Sequence, residues 1–447
     1  VALVVLIITF GSFLAAGMPL LTALLGVGIS IALIFLATAF AKVTSTTPML
    51  ALMLGLAVGI DYALFIISRH QDELRKGDTP EEAAARATGT AGSAVIFAGL
   101  TVMIALVGLG IAGIPFLTTM GVAAAVGVGV AVIISITLIP ALLGFAGERL
   151  RPKPKKTKKA EAASHKPNRF FLGWVKAVTR FPIVTILAVV AVITIVALPA
   201  LNLRLALPDA GSNAPDDRSR ITYDLVAENF GEGYNGPLLV TGTIVTSTDP
   251  LGLMDDLKSE LEKIPGVAAV PLATPNMTAD TGIIQVIPTG APASEETKAL
   301  VQAIRDKHDY FQKKYGVDLS VTGFTASGID VSERLGNALL PFGIVVVGLS
   351  LILLTMVFRS IWVPIKAAIG YLFSVVAAFG VVTLVMQEGV GANLIHIDRP
   401  GPVLSFMPII VMGILFGLAM DYQLFLGSGM REAFVHGKSA KEAVNFG

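Results

Sequence analysis

Two Asp-Tyr dipeptides, Asp61-Tyr62 and Asp421-Tyr422, each lie inside a strongly apolar stretch of this 447-residue chain. A carboxylate within a bilayer costs a few kcal/mol or more, and where it occurs it commonly carries ions or protons. A tyrosine hydroxyl can donate a hydrogen bond to an ionised carboxylate and accept one from a protonated carboxylate, so the pair tolerates both states. The residue types therefore predict a proton relay made of these four side chains.

The two dipeptides belong to an internal repeat. Residues 52–77 (LMLGLAVGIDYALFIISRHQDELRKG) match residues 412–437 (MGILFGLAMDYQLFLGSGMREAFVHG) at an offset of 421 − 61 = 360 residues. An earlier match, Phe10-Gly-Ser with Phe358-Arg-Ser, has an offset of 358 − 10 = 348, which leaves twelve extra residues around the loop 387–402. Internal repeats are typical of transporters whose site lies near mid-membrane at the repeat interface. The repeat predicts a duplicated transporter with a paired relay.

Helix periodicity places small residues on the face of each aspartate. Ala57 and Gly417 lie four residues before the two aspartates, and Gly413 lies eight before the second. Small residues allow close helix approach, so these three are predicted to pack beside the relay. Ser68 and Ser428, seven residues after each aspartate, would extend a polar path, although hydroxyls that bond back to their own helix are an equal alternative.

A simpler role for the aspartates is structural, as protonated groups that hydrogen-bond two helices. We favour the relay because the costly carboxylate occurs twice in matching contexts. His70 and His436 follow the two motifs and are expected to be solvated loop residues.

The elements that position these residues are apolar runs of about 20 residues, the length needed to span a bilayer. The sequence predicts nine spans, with the first two separated at Pro19: 1–20, 22–42, 47–68, 91–112, 116–146, 182–201, 338–358, 362–386 and 403–428. The predicted domains are a first bundle half of five spans (1–147), a basic cytoplasmic linker (148–181), one helix (182–201), an extracytoplasmic domain (202–337) and a second half of three spans (338–447). The first residue falls inside an apolar run, so the first half is expected to be truncated at its N-terminus.

Charge segregation orients the spans. Hydrophobic residues make up 54% of the chain and charged residues 15%, against about 25% in soluble proteins. Residues 149–180 hold eleven Lys/Arg and one acid, whereas residues 202–337 hold eleven Lys/Arg and nineteen Asp/Glu, a balance of 11 − 19 = −8. The positive-inside rule places the first segment in the cytoplasm and the second outside. The linker is predicted to be a flexible, solvated segment, and binding to anionic lipid head groups is the alternative.

The segment 202–337 has an α+β pattern. Strand-like runs at 237–247, 267–272, 281–288 and 317–325 alternate with helix signals at 251–264 and 294–315, the latter with Ser294 as N-cap and Gly316 as stop. This βαββαβ order predicts a ferredoxin-like sandwich. The fold class is thus a polytopic α-helical membrane protein with one extracytoplasmic α+β domain.

The sequence lacks the residues that several kinds of chemistry require. The chain has no cysteine, which excludes disulfides and thiol chemistry, and its five histidines show no metal-ligand spacing. No GxxxxGK[ST], HExxH or GxSxG motif occurs, so we expect no enzyme activity, no cofactor and no metal, with protons as the coupling ion. No nucleic-acid partner is expected.

The blocks GLAVGIDYALFIISRHQDELRKG (55–77), AMDYQLFLGSGMREAF (419–434), FGSFLAAGMPLL (10–21) and LALPDAGSNAPDDRSRITYDLVAENFGEGYNGPLLV (205–240) resemble the MMPL family of the RND superfamily. The resemblance implies an RND-type bundle of twelve spans with two porter domains, in which Asp61, Tyr62, Asp421 and Tyr422 form the proton relay. It implies proton-driven export of lipids or other amphiphiles in the plasma membrane of a bacterium. The nine spans and one porter domain would be the second to tenth spans of such a protein.

A second reading within the same superfamily is a protein that does not transport. A sterol-sensing-like lipid receptor or a protein-secretion auxiliary would bind lipid or polypeptide outside the membrane without moving it. An apolar pocket in the outer domain favours lipid export, and a flat polar surface favours the protein-handling role. RND proteins occur as monomers and trimers, so a homo-oligomer is an open alternative. The other expected partners are the lipid substrate and membrane lipids.

Overall fold

The computed structural model of the chain describes residues 2–151, 173, 177–435, 437, 439 and 442, with the backbone alone at 357, 358, 421, 424–426, 428, 429 and 431–433. Most of the basic linker predicted at 148–181 lies outside the described residues. The chain divides into a helical unit, made of Val1–Val196, Ala338–Ala377 and Ile409–Gly447, and an α+β unit, made of Ala197–Asn337 and Ala378–Pro408.

The helices that cross or border the helical unit are α1 (Ala2–Phe10), α2 (Phe13–Ala37), α3 (Thr46–Lys76), α4 (Pro80–Ala87), α5 (Ser93–Val107), α6 (Pro115–Ala146), α7 (Pro182–Ala197), α12 (Phe324–Phe358), α13 (Trp362–Val382) and α14 (Met407–Val435). Within the described part of the chain, seven helical segments are long and apolar enough to cross a membrane. The shorter apolar stretch Met407–Met420 begins α14. The chain is therefore a polytopic membrane protein.

The boundary predicted at Pro19 is wrong. Pro19 is buried inside α2, and the break between α1 and α2 falls at Gly11-Ser12 instead. Gly11 adopts φ +63°, a conformation that glycine accepts without strain, and the Ser12 side chain accepts a hydrogen bond from the Ala15 amide. Proline is tolerated inside membrane helices because neighbouring groups satisfy the backbone it leaves unpaired.

Close packing in the helical unit depends on glycines in α3. A Cβ on Gly59 would lie 3.3 Å from the Ala23 side chain of α2 and 3.8 Å from Ala131 of α6, and a Cβ on Gly55 would lie 3.4 Å from Val27. Small residues at these positions let the three helix backbones approach one another. They bury one face of α3 and fix its rotation.

The α+β unit contains a four-stranded antiparallel sheet. Its strands are β2 (Leu238–Thr243), β3 (Val267–Pro275), β4 (Thr281–Pro288) and β5 (Leu319–Thr322), in the spatial order β3-β4-β2-β5. The connecting helices are α9 (Pro250–Leu261), α10 (Glu295–Asp306) and α11 (His308–Tyr315), and α8 (Arg218–Phe230) precedes the sheet. This is the order of a split βαβ sandwich. The predicted helix 294–315 is divided at Lys307, but Ser294 does cap it and Gly316 does end it.

The extra residues noted around 387–402 belong to the α+β unit. The two-residue strand β6 (Val403–Leu404) pairs in parallel with β1 (Leu205–Ala206). Ser405 joins Ser332 of α12 through a buried hydroxyl pair with an oxygen separation of 2.6 Å. Gln387 donates to the Asn202 carbonyl and accepts from the Arg204 amide, both at 2.8 Å. The connection between α13 and α14 is therefore held as a structural part of this unit.

A charged cluster joins α9 to α11. Lys314 donates to Glu260 at 2.8 Å and to the Tyr310 hydroxyl at 2.9 Å, and its ammonium lies 4.9 Å from the ring centre of Tyr315. Lys263 adds a second cation to Glu260 at 3.4 Å. These donors, with Lys314 foremost, lower the pKa of Glu260 from 4.5 to about 2. Charge-assisted bonds of this kind are stronger than neutral ones.

The cluster predicts a loss of stability in acid. Because the folded-state pKa of Glu260 is depressed to about 2, its contribution is complete above its ordinary pKa of 4.5 and disappears as the pH falls towards 2. In Glu260→Gln this part of the acid sensitivity should vanish. Thermal unfolding of the full chain between pH 6 and pH 2, with hydrogen exchange in α9 and α11, measures it. The exposed neighbour variant Glu262→Gln should behave as wild type, and undiminished acid sensitivity in Glu260→Gln would contradict the assignment.

Candidate functional site

Asp61 and Tyr62 lie in the middle of α3 on different faces. Tyr62 is 1% exposed and points into the helical unit with Val58 and Ile66, whereas Asp61 is half-buried at the border of that face. Tyr62 is held against α5, because its Cε2 atom lies 3.7 Å from the place that a Cβ on Gly99 would occupy. A Cβ on Gly99 would overlap the Val132 side chain, so the missing side chain makes room for α6, whereas the Tyr62 ring lies at ordinary contact distance.

The second motif lies on α14 beside the first. The Tyr422 and Phe65 rings have centroids 6.4 Å apart and planes inclined by 60°, within the range of favourable aromatic pairs. Phe65 lies one helical turn after Asp61, so this contact brings the two copies of the repeat together near the first carboxylate. Asp421 is in α14, but its side chain lies outside the described residues, as does that of Ser428.

The predicted packing glycines contact α5. A Cβ on Gly417 would overlap the Val102 side chain, whereas one on Gly413 would lie 3.6 Å from Phe342 and 3.9 Å from the Ala105 carbonyl oxygen. Val102 is three residues from Gly99, the neighbour of Tyr62. One helix, α5, therefore touches both α3 and α14 next to their Asp-Tyr motifs.

The corresponding small residue of the first copy behaves differently. Ala57 is exposed, and so is Ser68, although both lie on the predicted aspartate face. Close approach of α3 is made by Gly55 and Gly59, on the opposite side from Ala57. The packing role predicted for Ala57 is thus not seen in the described residues, because the helix rotation buries Tyr62 and leaves Ala57 and Ser68 on the uncovered side.

Three residues of this site were missed from the sequence: Phe65, Gly99 and Val102. Phe65 is repeated as Phe425, which was a usable signal, but nothing in the pattern distinguishes the other two from neighbouring apolar residues. His70, expected to be solvated, lies on α3 and is fully buried. His436 lies outside the described residues.

A comparison with protein families shows which family the chain belongs to. The model of the MMPL family matches residues 1–185 and 252–446. The chain belongs to the MMPL family. Among relatives, the membrane protein YdfJ of Bacillus subtilis is 44% identical over 447 residues, a match that covers 100% of this chain and 60% of YdfJ.

More distant MMPL relatives include transporters named for their cargo. The mycolic acid-containing lipids exporter MmpL11 of Mycolicibacterium smegmatis is 29% identical over all of this chain and 47% of its own length. The translocon-associated membrane protein SecDF of Thermus thermophilus has a similar fold, with a TM-score of 0.50, 16% identity, and coverage of 95% of this chain and 50% of SecDF. The chain spans about half to 60% of the length of the relatives it matches.

The contact of Gly417 with Val102 predicts a stability difference between two glycines of one helix face. Gly417→Ala should destabilise the MMPL chain by about 1–3 kcal/mol, because the new methyl group overlaps a buried side chain of α5. Gly413→Ala, one turn earlier, meets its neighbours at ordinary contact distances and should be close to neutral. Thermal unfolding in detergent measures both variants, and equal melting temperatures for the two would refute the packing.

Proposed function

We propose that this MMPL protein uses the proton-motive force to export lipids or other amphiphiles from the plasma membrane of a bacterium. The proton relay consists of Asp61, Tyr62, Asp421 and Tyr422, and the α+β unit is an extracytoplasmic porter domain. The names of relatives such as the MmpL11 lipid exporter support the substrate class. Since the chain covers only part of its relatives, the activity is proposed for the protein that contains the whole set of segments.

The contact between Phe65 and Tyr422 carries the proposal. A paired relay needs both copies of the motif within reach of one another, and these rings join α3 to α14 one turn from Asp61. The common neighbour α5 supports the same arrangement, with Gly99 beside Tyr62 and Val102 against Gly417. A proton taken up by one carboxylate therefore changes the charge in a region where three helices are in close contact.

The cycle starts with a proton that reaches Asp61 or Asp421 from outside. Protonation removes the negative charge of the carboxylate, to which a neighbouring tyrosine hydroxyl donates a hydrogen bond. The hydroxyl then accepts a hydrogen bond from the protonated acid instead. The closely packed glycine contacts convert this switch into a change of helix packing, because packed interfaces move between discrete arrangements. The proton leaves towards the cytoplasm and restores the charge. Movement reaches the porter domain along α7 and α12, which connect to it in sequence, and through the segment 388–406.

A cavity in the α+β unit supports the proposal of an amphiphilic substrate. The cavity, which we call the Leu205 pocket, has a volume of about 380 Å³, with Leu203, Leu205 and Leu207 among its apolar lining residues. A cavity with leucines in its wall supports lipid handling over the protein-handling alternative, for which a flat polar surface was expected.

Asp61→Asn should abolish proton-driven export by the full-length protein and leave its folding intact. The amide is nearly isosteric with the acid but cannot gain and lose a proton at physiological pH. Export is measured as release of a labelled lipid from proteoliposomes with an imposed pH gradient. Size-exclusion profile and melting temperature report folding.

Asp72→Asn provides the matched control, since Asp72 lies on α3 three turns further and forms an exposed pair with Arg75 at 2.9 Å. Exposed pairs contribute little, so this variant should export at the wild-type rate. Wild-type, gradient-dependent export by Asp61→Asn would exclude the relay.

A further inference from the structure

The two copies of the repeat interrupt their helices with the same backbone conformation. Gly11 follows α1 with φ +63°, and Arg359 follows α12 with φ +50°, at a sequence offset of 359 − 11 = 348. In each copy the amide of this residue donates to the carbonyl four residues earlier at 2.8 Å, Gly11 to Ile7 and Arg359 to Thr355. The second copy therefore has an arginine in a conformation for which the first copy uses glycine.

The left-handed conformation of Arg359 costs free energy. A Cβ atom in this region lies too close to a backbone carbonyl oxygen, whereas glycine adopts the conformation without strain. Among the described residues of the helical unit, Arg359 is the one non-glycine residue with a positive φ. Strained positions of this kind cluster at functional sites, so we expect the arginine side chain to have a role that glycine could not supply.

The same segment of the second copy differs from the first at two further positions. At the offset of 348, Trp362 stands where the first copy has Leu14, and Lys366 stands where it has Met18. Trp362 and Lys366 are four residues apart at the start of α13, so they lie on one face of that helix. Both are exposed, as is Arg359. We call Arg359, Trp362 and Lys366 the Arg359 site.

The charge at the Arg359 site has one sign. Arg359 and Lys366 are the only charged residues in the sequence from 335 to 387, a stretch without Asp or Glu. In the part of the chain that the structure describes, neither side chain forms an ion pair. The positive-inside rule places such a connection on the cytoplasmic side, where the leaflet contains anionic lipids. The two cations therefore complement an anionic head group at the membrane surface.

The surface of α13 beyond the site is apolar. Ile369 and Val376 lie seven and fourteen residues after Trp362, and all three are exposed, so the face of Trp362 continues along the helix. Tryptophan is enriched at the level of the lipid head groups, where its ring is half in the apolar region and half in water. Cations at the helix end followed by apolar residues match the head group and the acyl chains of a phospholipid.

We propose that the Arg359 site binds the head group of an anionic phospholipid in the cytoplasmic leaflet. The Arg359 guanidinium and the Lys366 ammonium contact the phosphate, and the acyl chains lie along Ile369 and Val376. The planar guanidinium suits this role because it can donate two parallel hydrogen bonds to one phosphate. The first copy has no charged residue at the matching positions, so lipid binding distinguishes the two halves of the repeat. The site does not depend on the proton relay.

Quenching of Trp362 fluorescence tests the site in the full-length protein. The protein is reconstituted in phosphatidylcholine vesicles that contain brominated phosphatidylglycerol or, at the same mole fraction, brominated phosphatidylcholine. Trp362→Phe gives the signal of the other tryptophans, which is subtracted. Wild type should associate with the anionic lipid roughly fivefold more tightly, the contribution of about one cation near a charged membrane surface. Equal quenching by both lipids would overturn the proposal.

The first copy supplies the residues for the decisive variant. Arg359→Gly combined with Lys366→Met restores the residue types of the first copy and should abolish the preference for the anionic lipid, whereas Arg359→Lys keeps the charge and should keep most of it. Lys42→Met removes an exposed cation between α2 and α3 and should leave the preference unchanged. A preference that survives in the double variant would exclude the site.

The single variant Arg359→Gly separates ligand binding from a structural role. In neutral detergent without phospholipid, its melting temperature should equal or exceed that of wild type, because glycine relieves the left-handed strain. A lower melting temperature would show that the arginine stabilises the fold directly and would contradict the proposal. Release of the brominated lipid by added inorganic phosphate would assign the two cations to a soluble anion and would equally rule out a lipid site.

Discussion

An ionisable side chain within a membrane-spanning helix is stable only where protein groups replace water around it. In this protein the requirement falls on α3, which is long and apolar enough to span a membrane and carries Asp61. Gly55 and Gly59 draw α3 against α2 and α6, and this packing sets the rotation that buries Tyr62 and leaves Asp61 half-buried. The remaining contacts of the helical unit follow from that rotation.

The helix α5 links the two motifs through steric fit alone. Gly99 leaves space for Val132 of α6 and lies in contact with the Tyr62 ring, and Val102 fills the space left by Gly417. Because such contacts have no free volume, a change in one helix must be accommodated by its neighbours. Coupling between the two Asp-Tyr motifs, which the proposed relay requires, therefore needs no continuous chain of polar residues. Close apolar packing against a shared helix provides a mechanical connection.

Much of the fold was predictable because local patterns specify it. Apolar length identifies membrane helices, and alternating strand and helix signals indicated the βαββαβ segment. The break at Gly11 was missed because hydropathy is uniform across 1–37, so that only a backbone conformation marks the end of α1. The pairing of β1 with β6 was also missed. Two-residue strands that meet across 403 − 205 = 198 residues leave no local pattern, although the repeat correctly located extra residues near 387–402.

The sequence alone determined that carboxylates occupy apolar helices, that they occur in two matching copies, and that the chain resembles MMPL transporters. These properties depend on residue type and spacing. The thickness of a bilayer sets the length of a spanning helix, and the helical period sets which residues share a face. Tertiary structure alone decided that Phe65 meets Tyr422, that α5 is the shared neighbour, and that Ala57 is exposed while Gly59 is packed. Which face of a helix meets another depends on the steric fit of individual side chains, and hydrophobicity is nearly the same on every face of these helices.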